Sequence, residues 1–140
     1  MKTMTFALLT GALTVAALNA RAADQQPAYT PLRPISECLR PDRINEWYVV
    51  DEQTVIARTG PDRYVVKLQA HCPQLGIGQS LRFHANRANM AVGMGALCGE
   101  AGETLSSRSQ PPCAVQSIAK IDKAQFEQLG TKAKLHGTQP

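Results

Sequence analysis

Four cysteines, Cys38, Cys72, Cys98 and Cys113, limit what this 140-residue chain can become. All four lie downstream of a segment with the three parts of an export signal. Lys2 gives a positive start, Phe6 to Leu18 (FALLTGALTVAAL) is an apolar run, and Ala20-Arg21-Ala22 is a small-x-small cleavage site. Cutting between Ala22 and Ala23 is therefore expected. The apolar run of about 13 residues is short of the roughly 20 that span a bilayer, and no cysteine within it could take a lipid anchor. An even number of cysteines in a small exported domain implies two disulfides. Three pairings are possible. Cys38–Cys72 with Cys98–Cys113 is favoured, because each bridge then brackets one coherent block and the blocks need not interleave. No Cys-x-x-Cys occurs, which disfavours a thioredoxin-like redox centre, and no two cysteines lie close enough for a four-cysteine zinc site. The expected location is periplasmic or secreted.

Charge narrows the classes further. The formal net charge of +4 falls to +2 once Lys2 and Arg21 leave with the leader, and no Lys/Arg run is longer than a pair. A basic stripe for nucleic acid is not supported. Without the leader no segment is expected to insert stably in a membrane. The remaining core is small, and such domains often need covalent bridges.

Residues 23–35 are Pro- and Gln-rich. Pro27, Pro31 and Pro34 oppose a regular helix or central strand, so this stretch reads as a surface arm. The folded domain is expected over 36–130. Its densest β-forming part runs from Arg43 to Cys72. Strands are expected at 44–50, 54–58 and 63–68, with Gly60-Pro61-Asp62 as a hairpin turn. In the third, Tyr64, Val66 and Leu68 alternate with Arg63, Val65 and Lys67, the period of a half-buried antiparallel strand. A fourth strand at 79–84 puts Leu81 and Phe83 inward. Residues 85–102 are Gly/Ala-rich and read as a loose loop. A brief strand follows near Thr104 and a last one over 113–119. There Val115, Ile118 and Ile121 are spaced by three, a pattern of a bulge or a helical turn. Asp122 and Gln125 form a capping box for a short helix to Leu129. Residues 131–140 read as a flexible tail.

The fold expected is mainly β: a small antiparallel curled sheet or open barrel of five to six strands, with a short C-terminal helix and two disulfides. The alternative is an α+β arrangement in which 113–129 is mostly helical.

Taken together, CLRPDRINEWYVVDEQTVIAR, RYVVKLQAHCPQL, LCGE and CAVQSI resemble an uncharacterised family of small exported four-cysteine proteins of Gram-negative bacteria, a domain of unknown function. Tyr64, Val66, Leu68 and Cys72-Pro73-Gln74-Leu75 carry the resemblance, over roughly 38–119. GEAGETL after Cys98 and the Gly/Met segment 88–96 depart from it. The resemblance implies export and a compact disulfide-bonded β domain, and brings no activity or cofactor.

The residues offer little catalytic chemistry. The histidines are His71, His84 and His136; no Gly-x-Ser-x-Gly elbow occurs, and Gly93-Met94-Gly95 is followed by no phosphate-loop lysine. With its cysteines in disulfides, the chain lacks a thiolate nucleophile. A non-catalytic binding or interaction protein with an envelope or secreted protein partner is expected, and a hydrolase is disfavoured. Adjacent residues in a strand face opposite sides, so one of Trp47 and Tyr48 should be outward and free to anchor a partner. One soft-metal reading also exists. His84, Met90 and Met94 lie within eleven residues, and thioethers with imidazole suit Cu(I). Against it, methionines commonly fill irregular gaps.

Overall fold

The computed structural model describes residues 32–108 and 110–138. The expected leader at 1–22, its Ala22/Ala23 cleavage site and most of the 23–35 arm lie outside the described residues.

Seven antiparallel strands form one curled half-barrel sheet. In chain order they are β1 (Glu46–Asp51), β2 (Thr54–Thr59), β3 (Asp62–Leu68), β4 (Leu81–His84), β5 (Thr104–Ser107), β6 (Gln110–Lys120) and β7 (Leu135–Thr138), with helices α1 (Arg87–Ala91) and α2 (Lys123–Gly130). The spatial order is β4-β5-β6-β3-β2-β1-β7. Two three-stranded meanders, β1–β3 and β4–β6, are thus joined through β3 and β6. The sheet is mainly antiparallel β as expected, with seven strands rather than five or six.

The alternation in β3 is as read: Tyr64, Val66 and Leu68 are buried. They join Trp47, Val49, Val55, Ala57, Leu81, Phe83, Leu105, Val115 and Ile118 on the inner face. That face is closed by the segments around Leu39, Ile44, Leu75 and Leu97. The outer face of β1–β3 carries a second cluster. Tyr48, Val50, Ile56 and Val65 pack against Phe126 and Leu129 of α2. The predicted capping box opens that helix: the Asp122 side chain accepts from Gln125 N at 2.8 Å, and Asp122 N donates to Gln125 Oε1 at 3.4 Å.

Two expectations are corrected and one alternative falls. The strand expected over 113–119 is present, as part of β6, which runs to Lys120, so the alternative in which 113–129 is mostly helical does not hold. The three-residue spacing in this segment is a bulge. Lys67 pairs with Ser117 and Leu68 with Val115, leaving Gln116 as the extra residue, so Val115 and Ile118 both point inward.

The tail is not frayed up to Thr138. Leu135 to Thr138 pairs with β1 as an edge strand, Gly137 opposite Trp47. Lys134 N extends the ladder by donating to Val49 O at 2.8 Å.

The disulfides interleave: Cys38 is bonded to Cys98 and Cys72 to Cys113. Long-range pairing dictates this. Leu39 and Leu97 exchange two backbone hydrogen bonds of 2.8 Å, which brings their neighbours Cys38 and Cys98 together. Beyond Leu68 the β3–β6 ladder continues with Gln69 N to Ala114 O at 3.0 Å, which carries Cys72 towards Cys113.

Candidate functional site

Trp47 does not face outward. It is 1 % exposed, and its indole lies between two glycines. A Cβ on Gly137 would stand 2.6 Å from Trp47 Cε2, and one on Gly76 would stand 3.1 Å from Cζ3. Gly76 also has a φ of +75°, which an L side chain rarely adopts. Trp47 is therefore removed from the partner-contact candidates. Tyr48 takes the opposite face, but it is half-buried. Its ring stacks on His136 at 5.2 Å and meets Phe126 edge-on at 5.8 Å. Its hydroxyl donates to Glu46 Oε2 at 3.2 Å. Tyr48 thus belongs to the packing under α2 and β7.

His84, Met90 and Met94 do converge. They line one open cavity of about 370 Å³ together with Arg40, Asp42, Phe83 and Gly95. His84 comes from the end of β4, Met90 from α1 and Met94 from the loop after it. The short helix forms because Asn86 caps it, its side chain accepting from Asn89 N at 2.7 Å. Gly93 at φ +72° then turns the chain back, and Met94 N donates to Asn89 O at 3.0 Å. Met90 is 60 % exposed, so an apolar side chain stands open to solvent at this cavity. The opposite rim is charged. Arg40 grips Asp42 through Nε and Nη2 at 3.1 and 3.0 Å, and the guanidinium holds the Asp42 carboxyl below its ordinary range.

The cavity wall is anchored by a residue that the sequence reading passed over. Glu103 is 0 % exposed, and its two carboxyl oxygens accept from Cys98 N at 2.6 Å and Gly99 N at 2.8 Å. Its own carbonyl accepts from Val115 N at 2.9 Å. One side chain thereby fixes the end of the 85–103 loop, the Cys38–Cys98 bridge and the start of β5. Burial raises the Glu103 pKa above 4.5, and the backbone donors only partly offset this. A folded-state pKa above the unfolded one gives a contribution present at acid pH and lost as pH rises through the folded value. The stability of the native chain relative to Glu103→Gln is therefore expected to fall as pH rises from the ordinary carboxylate range, as read by urea unfolding. Glu103→Ala leaves both amides without an acceptor and should cost about 2–4 kcal/mol at acid pH, less as pH rises. The signal was the pair of acidic residues in GEAGETL, which the sequence alone left unassigned.

A second polar region is internally paired. A cleft of about 390 Å³ lies beside Asp51, Glu52, Thr54, Lys67, His71 and Lys134. In it Lys67 Nζ donates to Thr54 Oγ1 at 2.7 Å, and His71 Nδ1 stands 3.3 Å from Glu52 Oε2. His84 Nε2 is 2.8 Å from Ser106 Oγ, and among the described residues no carboxylate pairs with that ring. No three His, Cys, Asp or Glu among the described residues are grouped to hold a metal ion. All four cysteine sulfurs are in disulfides.

Residues 1–137 match a family described as "Family of unknown function (DUF6491)". The chain belongs to this family. No curated protein and no solved structure matches the chain. Membership in DUF6491 therefore brings no assigned activity, and the functional argument rests on the cavity bounded by His84, Met90 and Met94. Among the described residues no helix is long and apolar enough to cross a membrane.

Proposed function

We propose that this member of DUF6491 is an exported, periplasmic or secreted, non-catalytic binding protein of a Gram-negative envelope. Its binding surface is the cavity between α1 and the end of β4, which receives an apolar side chain of an envelope or secreted protein partner. The observation that carries this reading is the exposed Met90 at the cavity, with exposed Val92 at the end of the same helix, on a segment fixed at both ends: the Asn86 cap at one, Glu103 and the Cys38–Cys98 bridge at the other. A rigid loop loses little entropy on binding, and an apolar rim beside the Arg40–Asp42 pair suits a small interface with a charged border. The leader, the even cysteine count and the two bridges support export. The chemistry of the groups favours binding over catalysis. The cysteine sulfurs are oxidised, and among the described residues the His84–Ser106 hydrogen bond lacks the carboxylate that orients a triad.

A second reading is favoured by one specific observation. His84, Met90 and Met94 share the cavity, and two thioethers with an imidazole are a soft donor set suited to Cu(I).

One pair of variants separates the readings. Met90→Ala with Met94→Ala removes both thioethers, and Met90→Asp with Val92→Asp charges the rim. If the surface holds a protein partner, the Asp pair abolishes photo-crosslinking from position 88 to an envelope protein, and wild-type protein takes up no stoichiometric Cu(I). If it holds copper, wild-type protein binds one Cu(I) and the Ala pair weakens this at least tenfold. Neither crosslink nor copper uptake would remove the cavity as the binding surface.

A further inference from the structure

A smaller pocket of about 210 Å³ lies at the edge of the sheet, lined by Ser80, Arg82, Ser106, Ser107 and Arg108. The pairing of β4 with β5 assembles it. Arg82 sits directly opposite Ser106 and Leu81 opposite Ser107, so residues from both strands and the turns beyond them meet at one place. Two features set it apart from the internally paired cleft near Lys67. Neither guanidinium has an ion-pair partner among the described residues, whose salt bridges involve other cations. Ser80 Oγ is buried there and makes no hydrogen bond. The other two hydroxyls are fixed by neighbours: Ser107 Oγ donates to Gln74 O at 3.1 Å, and Ser106 Oγ is 2.8 Å from His84 Nε2.

Two unpaired guanidiniums at one pocket repel each other, and a buried hydroxyl without a partner loses hydration that nothing replaces. An anion with several acceptor oxygens relieves both. The planar fork of arginine matches a tetrahedral oxyanion through paired N–H donors. A hydroxyl can complete the shell as donor to the anion or acceptor from a protonated one. The volume accommodates one such group. We infer that Ser80, Arg82, Ser106, Ser107 and Arg108 form a binding site for a phosphate-type tetrahedral oxyanion. The assignment does not rest on the partner cavity, although the His84–Ser106 hydrogen bond links the two.

The same chemistry is offered by free inorganic phosphate and by a phospholipid headgroup. Calorimetric titration of the full chain with inorganic phosphate tests the first, and co-sedimentation with phosphatidylglycerol against phosphatidylcholine vesicles tests the second. Saturable binding in either arm is expected, weakened at least tenfold in Arg82→Ala and in Arg108→Ala and partly restored in Arg82→Lys. Ser80→Ala should weaken it further without changing the melting temperature. Phosphate binding alone assigns the site to a free anion; vesicle binding that phosphate does not displace assigns it to a headgroup. Binding in neither arm, or binding that both arginine variants retain, would overturn the assignment.

Discussion

Trp47→Ala is expected to lower the unfolding free energy by about 3–5 kcal/mol, the range for truncating a fully buried aromatic residue. The loss comes from more than one element. The indole is the surface on which Gly76 and Gly137 both rest, so its removal leaves a gap under the turn after Leu75 and under β7. Each kcal/mol shifts the melting temperature of a domain near this size by about 4–8 °C, so a thermal scan by circular dichroism should show the change clearly. Gly137→Val approaches the same contact from the other side. Its Cβ would overlap the ring, and the register of β7 with β1 forces the encounter. It should detach β7 while leaving β1–β6 folded, read as faster amide exchange at residues 135–138. A melting temperature unchanged in both variants would refute this packing role for the tryptophan.

The second large effect belongs to the bridges. The Cys38–Cys98 bond spans 60 residues and Cys72–Cys113 spans 41. By loop entropy each contributes about 4 kcal/mol, and removing one from a small domain costs about 2–5 kcal/mol. Replacing either pair with alanine should therefore bring the domain close to unfolding, measured as a loss of most of the urea midpoint. Mass spectrometry of a non-reduced digest checks the connectivity directly. It should yield the peptide containing Cys38 joined to that containing Cys98. Recovery of Cys38 joined to Cys72 would reject the interleaved arrangement.

Much of the fold is legible in the residues where local rules act alone. The alternation of Tyr64, Val66 and Leu68 and the Asp122–Gln125 capping box are local, and both hold. What the sequence hides is long-range. The pairing of the cysteines follows from the Leu39–Leu97 bridge and from β3 lying beside β6, and no local pattern announces either contact. The strand β7 escapes notice for another reason. It is held by backbone hydrogen bonds and by a glycine flat on Trp47, while its one large apolar residue, Leu135, is exposed, so no hydrophobic period marks it. At the candidate site the residue types His84, Met90 and Met94 were readable, and the structure brings them to one cavity. Glu103 was not readable, because its role depends on the amides of Cys98 and Gly99 folding back over it.

The interleaving of the bridges bears on how the chain acquires them. A polypeptide made from its N-terminus presents Cys38 and Cys72 to an oxidant before Cys98 exists to compete. The first pair available is thus a non-native one, and if it closes it is resolved by attack of the Cys98 or Cys113 thiolate on that bond. Oxidation that follows the order of synthesis strands this protein, whereas reshuffling rescues it. In cells its yield should depend on a disulfide isomerase rather than on an oxidase alone.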